Sequence, residues 1–157
     1  MGLNGFYAGS FDPFTIGHLA IIEKSCKTFD KVLIGIGINS GKERRTDEYS
    51  MKNAIEETLK LRGINNAETV VYTGLTADCA IENSCQCLIR GIRNGTDYQY
   101  EENIASVNEQ HFGLDTCYFR AGKYGHISSS MVMELFKYNK DITHLVPEPV
   151  QKVLEKN

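Results

Sequence analysis

Residues 9–18 read Gly9-Ser10-Phe11-Asp12-Pro13-Phe14-Thr15-Ile16-Gly17-His18, so a hydroxyl, an imidazole and two glycines meet between a short apolar run and an amphipathic segment. A strand-to-helix junction of this kind suits phosphate. The helix N-terminus offers unpaired N–H groups and a partial positive charge, and glycine lets a polyphosphate approach the main chain closely. His18 adds a side-chain donor at the same place. Three further patches carry compatible chemistry. Leu88-Ile89-Arg90-Gly91-Ile92-Arg93 brings two arginines off the end of an apolar run, where guanidinium groups bind phosphate oxygens bidentately. Ile127-Ser128-Ser129-Ser130 opens a helical segment with more hydroxyls than an N-cap needs. Lys42 follows another apolar run and supplies a compact charge.

The elements that position these patches follow from hydrophobic periodicity. Gly5 to Ala8, Val32 to Ile38, Thr69 to Tyr72, Cys87 to Ile89 and Thr116 to Phe119 read as strands. Between them, helices show Leu19, Ile22, Cys26 and Phe29 on one side, then Met51, Ile55 and Leu59, a shorter helix over 77–83, and Tyr100, Ile104, Val107 and His111. Thr96-Asp97-Tyr98-Gln99 has the spacing of a capping box. Further helices are expected over Ser128 to Lys137 and from about Pro147, a residue suited to a first helical turn. Alternating strands and helices predict an α/β fold: a Rossmann-like, doubly wound, five-stranded parallel sheet with helices on both faces. Ligands in such sheets bind at the carboxyl ends of the strands, where the strand order reverses. His18, Arg90 and Arg93 would share that edge.

The chain of 157 residues, with 41% hydrophobic and 24% charged residues, has the size and composition of one globular domain. No stretch approaches the length of an apolar membrane span, and a cytoplasmic location is expected. The net charge of −3 argues against broad nucleic-acid binding, so any anion site is local, with Lys42, Arg44, Arg45, Arg90, Arg93 and Lys123 as its candidate cations. Cys26, Cys79, Cys85, Cys87 and Cys117 lack paired metal-ligand spacing and read as buried free thiols. Gly35-Ile36-Gly37-Ile38-Asn39-Ser40 lacks the third glycine of a dinucleotide fingerprint, and Gly41-Lys42 lacks the flanking residues of a P-loop. Hydride transfer and P-loop chemistry are therefore disfavoured. His111 and His144 read as structural, and the Tyr98/Tyr100 pair as packing.

The Thr15-Ile16-Gly17-His18 run resembles the Thr/His-x-Gly-His signature of the nucleotidylyltransferase superfamily. Gly-Ser-Phe-Asp-Pro before it, together with Arg90-Gly91-Ile92-Arg93, Asp97-Tyr98-Gln99-Tyr100-Glu101 and Ile-Ser-Ser-Ser, is most similar to the phosphopantetheine adenylyltransferase family. The resemblance runs from about Phe6 to Leu154 and implies a single nucleotidylyltransferase domain over 1–157. It implies adenylyl transfer from ATP to 4'-phosphopantetheine with Mg2+, in a homohexamer that also takes coenzyme A as a feedback ligand. By the same resemblance His18 is the catalytic donor. Ser10, Phe11, His18, Gly91, Ile92, Arg93, Glu101, Tyr124, Gly125, His126, Ile127, Ser128, Ser129 and Ser130 would line the nucleotide, with no protein metal cluster. Ser10, Lys42, Thr76 and Arg90 would bind the acceptor. Three places depart from the family pattern. Met133 stands where a basic residue is usual, Glu48-Tyr49-Ser50 replaces a Glu-Glu-Arg run, and Thr76 replaces an apolar residue. The rival readings are a transferase of the same fold acting on another acceptor, families that usually have His where this chain has Thr15, and a nucleotide-binding regulator.

Overall fold

The aliphatic run from Val32 to Ile36 is covered on both faces, as an interior strand of a parallel sheet requires. In the computed structural model, which describes residues 2–156, this run lies in β2 (Lys31–Gly37). The other strands are β1 (Asn4–Gly9), β3 (Ala67–Tyr72), β4 (Cys87–Ile92) and β5 (Asp115–Arg120). They form one parallel sheet in the order β3-β2-β1-β4-β5, with Tyr7 opposite Ile34 on one side and Ile89 on the other. The chain steps outward from β1 to β3 and then returns to lay β4 on the far side of β1. The order therefore reverses between β1 and β4, and a crevice opens above their carboxyl ends.

Among the described residues six α-helices accompany the sheet: α1 (Ile16–Thr28), α2 (Glu48–Leu61), α3 (Thr76–Glu82), α4 (Gly95–Phe112), α5 (Ser129–Lys137) and α6 (Glu148–Lys156). Alternation along β1 splits the core in two. Tyr7 joins Ile21, Ile22, Met51, Ile55, Val132 and Leu154 under α1, α2, α5 and α6, whereas Phe6 and Ala8 join Ala77, Ala80 and Leu114 under α3 and the end of α4. All five cysteines are free thiols, three of them buried.

Strand and helix positions match the periodicity to within a few residues, and two local expectations change. The capping of α4 is done by Asn94, whose side chain accepts from Asp97 N–H, and not by Thr96. Asn94 wins because β4 ends at Ile92 and Asn94 already has extended backbone angles, which leaves Thr96 inside the helix. The apolar side of α4 does not enter the core either. Tyr100, Ile104 and Val107 are exposed, as is His111, and Glu101 is the helix's buried residue. Pro147 stands just before α6, where its carbonyl accepts from Val150 and Gln151.

One buried carboxylate fixes the loops over the crevice. Asp12 accepts from Arg45 N–H at 2.7 Å, Thr46 N–H at 2.8 Å and the Thr46 hydroxyl at 2.7 Å. In return, Arg44 donates to the Ser10 carbonyl at 2.7 Å and Arg45 to the Asp12 carbonyl at 3.1 Å. The β1–α1 loop and the segment before α2 are thereby tied into one wall. Asp12→Ala leaves three donors, two of them buried, without an acceptor and should lower the unfolding free energy by about 3 kcal/mol in a urea titration. A loss below about 1 kcal/mol would show that the wall stands without it.

Candidate active site

Thr15 and His18 cap α1 reciprocally. The Thr15 hydroxyl accepts from His18 N–H at 3.3 Å, and Thr15 N–H donates to His18 Nδ1 at 3.0 Å. The Thr-x-x-His spacing is thus a capping box with histidine in the place of Glu or Gln. Its chemical consequence is a fixed tautomer: Nδ1 accepts, so the remaining proton sits on Nε2. The ring is held edge-on to Phe11 at 4.9 Å and stacked with Phe14 at 5.6 Å. Phe11 takes a left-handed backbone conformation (φ 45°), which is strained for a non-glycine residue, and its buried ring between Tyr7, Phe14 and His18 offsets that strain. Burial, then the positive charges of Arg90 and Arg93, hold the imidazole pKa down to about 4. His18 is therefore a neutral N–H donor near pH 7.

His18 faces a cavity of about 340 Å3 at the switch between β1 and β4, together with Ser10, Phe11, Arg90, Gly91, Arg93, Tyr124 and Ile127. The N-termini of α1 and α5 both meet this cavity, through Gly17 and through Ser128 and Ser129. Gly17 packs closely there: a Cβ would stand 3.3 Å from the Tyr124 carbonyl, which would have to give by a few tenths of an ångström. Arg90 is clamped by two bonds to Glu101, at 2.8 and 2.9 Å, and by a third to the Ala8 carbonyl at 2.7 Å. Arg93 pairs with Asp97 at 2.9 Å. Both guanidinium groups are positioned before any ligand arrives, and each keeps N–H groups unspent.

Lys42 lies apart from His18. It lines a neighbouring space of about 250 Å3 with Arg45 and Ser130, and the two spaces share Ser10, Ser128 and Ser129. Each serine has a distinct task. Ser128 caps α5 through Met131 N–H, Ser129 donates to the Pro13 carbonyl at 2.7 Å, and Ser130 accepts from Arg45 at 2.9 Å. Ser128 and Ser130 accept these bonds, so their own protons stay available. Thr76 lies in a third recess of about 190 Å3, with Ala8, Arg90, Tyr100, Glu101, Ile104 and Asn108. Its hydroxyl is paired with Tyr72 at 2.8 Å.

Some expected liners stand elsewhere. Ile92, Gly125 and His126 line none of the three spaces, and His126 is exposed. Glu101 does line the first cavity and the Thr76 recess, with both carboxylate oxygens engaged by Arg90. His111 and His144 are exposed, whereas Tyr98 packs edge-on against Tyr118 at 5.5 Å. Sequence reasoning missed Tyr7, a buried residue lining the first cavity, whose hydroxyl burial pushes to higher pKa. The alternation of β1, which puts Tyr7 and Gly9 on one face, was the available signal. It also missed Asp97 as the partner of Arg93.

The His18 geometry has a measurable signature. In an imidazole NMR titration His18 should stay neutral down to about pH 4, as the Nε2–H tautomer, and the titration should move upward when pyrophosphate is added, because a nearby anion favours the charged ring. An ordinary midpoint near 6.5 would contradict this burial.

The family model for cytidylyltransferase-like proteins matches residues 6–135. A phosphopantetheine adenylyltransferase of Porphyromonas gingivalis is 38% identical over 144 residues, covering 90% of this chain and 92% of its own. One from Nautilia profundicola is 34% identical over 157 residues, covering 98% of this chain and 100% of its own. A Vibrio parahaemolyticus structure named for nicotinate-nucleotide adenylyltransferase superposes with a TM-score of 0.73 over 99% of this chain and 93% of its own; at 17% identity it shares the fold. On the matched residues and these identities, the chain belongs to the cytidylyltransferase-like family and, within it, to the phosphopantetheine adenylyltransferases.

Proposed function

We propose that this protein transfers the adenylyl group of ATP to 4'-phosphopantetheine, forming dephospho-coenzyme A and pyrophosphate in coenzyme A biosynthesis. An oxygen of the acceptor phosphate attacks the α-phosphorus in line, and the bond from that phosphorus to the oxygen bridging to the β-phosphate breaks. The acceptor phosphate is already ionised near neutral pH, so no general base is needed, and catalysis consists of positioning and charge stabilisation. The observation that carries the reading is the neutral, tautomer-fixed His18 in a crevice between two helix N-termini and two preset arginines.

We assign the Nε2–H of His18 to the α-phosphate oxygens in the transition state, with Ser10 and the first turn of α1 beside it. Arg90 and Lys42 hold the acceptor phosphate. Arg93 and the serines of α5 take the leaving pyrophosphate, and Phe11, Gly91, Tyr124 and Ile127 enclose the nucleotide. The pantetheine arm fits the recess around Thr76, which is apolar along Phe6, Leu88 and Ile104 and offers Asn108 to an amide. Magnesium neutralises phosphate charge when bound. The donor set fits an ion carried by phosphate and water, since Asp12, Asp97 and Glu101 are each engaged by protein donors and no cluster of three metal-ligating side chains occurs among the described residues. The exposed apolar side of α4 supports assembly into the homohexamer, and coenzyme A, which keeps the product's adenylate and pantetheine, binds the same crevice as a feedback ligand. No helix of the described residues is long and apolar enough to cross a membrane, which accords with a cytoplasmic site of action.

The test is pyrophosphate release with ATP, magnesium and 4'-phosphopantetheine, run beside nicotinamide mononucleotide and, with CTP, glycerol 3-phosphate. Release with phosphopantetheine is expected; release with another acceptor alone moves the substrate, and silence with retained ATP binding makes the protein a regulator. His18→Ala should lower kcat about 100-fold with ATP affinity nearly intact. Equal losses of binding and rate would reduce His18 to a helix cap.

A further inference from the structure

Helical side chains lean toward the helix N-terminus, so a side chain at position 133 of α5 covers the surface over the turn before it, beside Ser129 and Ser130. In this chain that position is Met133, half-buried and packed against the main core, and it brings no charge to the serines. A cation nevertheless stands there. Arg45, from the segment before α2, donates from Nη2 to Ser130 Oγ at 2.9 Å and from Nη1 to the Asp12 carbonyl at 3.1 Å, while its backbone N–H is fixed on the Asp12 carboxylate. It shares its space with Lys42, Ser128 and Ser129. Asp12, whose carboxylate accepts from three donors, and Glu43 on the exposed rim also line this space. Arg44 is turned to the carbonyls of Ser10 and Thr46.

We infer that Arg45 is a binding residue for the pyrophosphate end of the nucleotide, delivering from the β2–α2 loop the positive charge that α5 lacks at Met133. The inference rests on the adenylyl-transfer reading. Ser130 accepts from the guanidinium and so turns its own proton outward, and the pair presents a charged N–H and a polarised O–H to one anion. The charge is carried by a different element from the one that carries the serines. Anion binding at this place therefore also holds the β2–α2 loop against α5.

Two exchanges test this. Arg45→Met should raise KM for ATP, and KM for pyrophosphate in the reverse reaction with dephospho-coenzyme A, about tenfold, with KM for 4'-phosphopantetheine within twofold of the parent. Adding Met133→Arg to Arg45→Met should recover most of the pyrophosphate affinity, because it returns the charge to the same spot without restoring the tie between Arg45 and Ser130. If Arg45 only staples the loop, Arg45→Met lowers Tm and weakens both substrates alike, and Met133→Arg rescues nothing; that result overturns the inference. Calorimetric titration of pyrophosphate onto parent and variants reads the same contact without turnover, so it decides the role of Arg45 even if the parent releases no pyrophosphate with any acceptor. Should Arg45→Met fail to fold, Arg45→Lys keeps the charge and loses the fork, and an unchanged pyrophosphate affinity in Arg45→Gln would equally overturn the role.

Discussion

The Asp12 carboxylate holds together the loops that wall one side of the crevice. It is almost wholly buried, and a buried charge is tolerated only when donors replace the lost water. Asp12 finds them in the backbone of Arg45 and the backbone and hydroxyl of Thr46, with the Arg44 guanidinium 3.7 Å away. This choice of partners has a geometric result. The loop after β1 and the loop after β2 become one body, and Ser129 joins α5 to it through the Pro13 carbonyl. Ser10, Lys42 and the serines of α5 therefore keep their relative positions while each stays on the protein surface.

The same economy governs the arginines. A protein of net charge −3 needs strong local cations to bind a nucleotide, yet unpaired guanidinium groups crowded into one crevice would repel each other. Glu101 and Asp97, which line the same crevice, resolve this by pairing with Arg90 and Arg93. The pairing fixes the side chains, which removes part of the ordering cost from ligand binding. It also explains why the one buried residue of α4 is an acid. That helix packs lightly on the sheet, and the Glu101–Arg90 pair ties its first half to β4.

Fold and site location were legible because they depend on periodicity and on backbone chemistry. Strand runs, helix spacing and the glycine-rich junction before His18 all express local constraints, and the reversal of strand order sets where they converge. The less legible features depend on side-chain direction. Asp12 reads as a turn residue, and Arg44 and Arg45 read as members of an anion patch; the structure turns Arg44 inward onto carbonyls and Arg45 across to Ser130. Three consecutive serines announce surplus hydroxyls, but which one caps, which one staples and which one meets Arg45 is decided by the packing of α5 on the β1–α1 loop. For α4 the pattern gave an apolar side correctly and its destination incorrectly, because periodicity identifies a face without saying what covers it.

The neutrality of His18 is what the electrostatics of the crevice would select for chemistry at the α-phosphate. An imidazolium between Arg90 and Arg93 would be costly in itself, and burial adds to that cost. It would also attract the ground-state triphosphate about as strongly as the transition state, which tightens binding without lowering the barrier. A neutral Nε2–H, on a ring in contact with Phe11 and Phe14, would bind the resting nucleotide only weakly in the adenylyl-transfer reading. In the proposed adenylyl transfer its hydrogen bond would strengthen as charge redistributes around the five-coordinate phosphorus, and that difference between the two states would be its catalytic contribution. The capping bond from Thr15 to Nδ1 is therefore both a helix-stabilising contact and the device that keeps the donor pointed and protonated at Nε2.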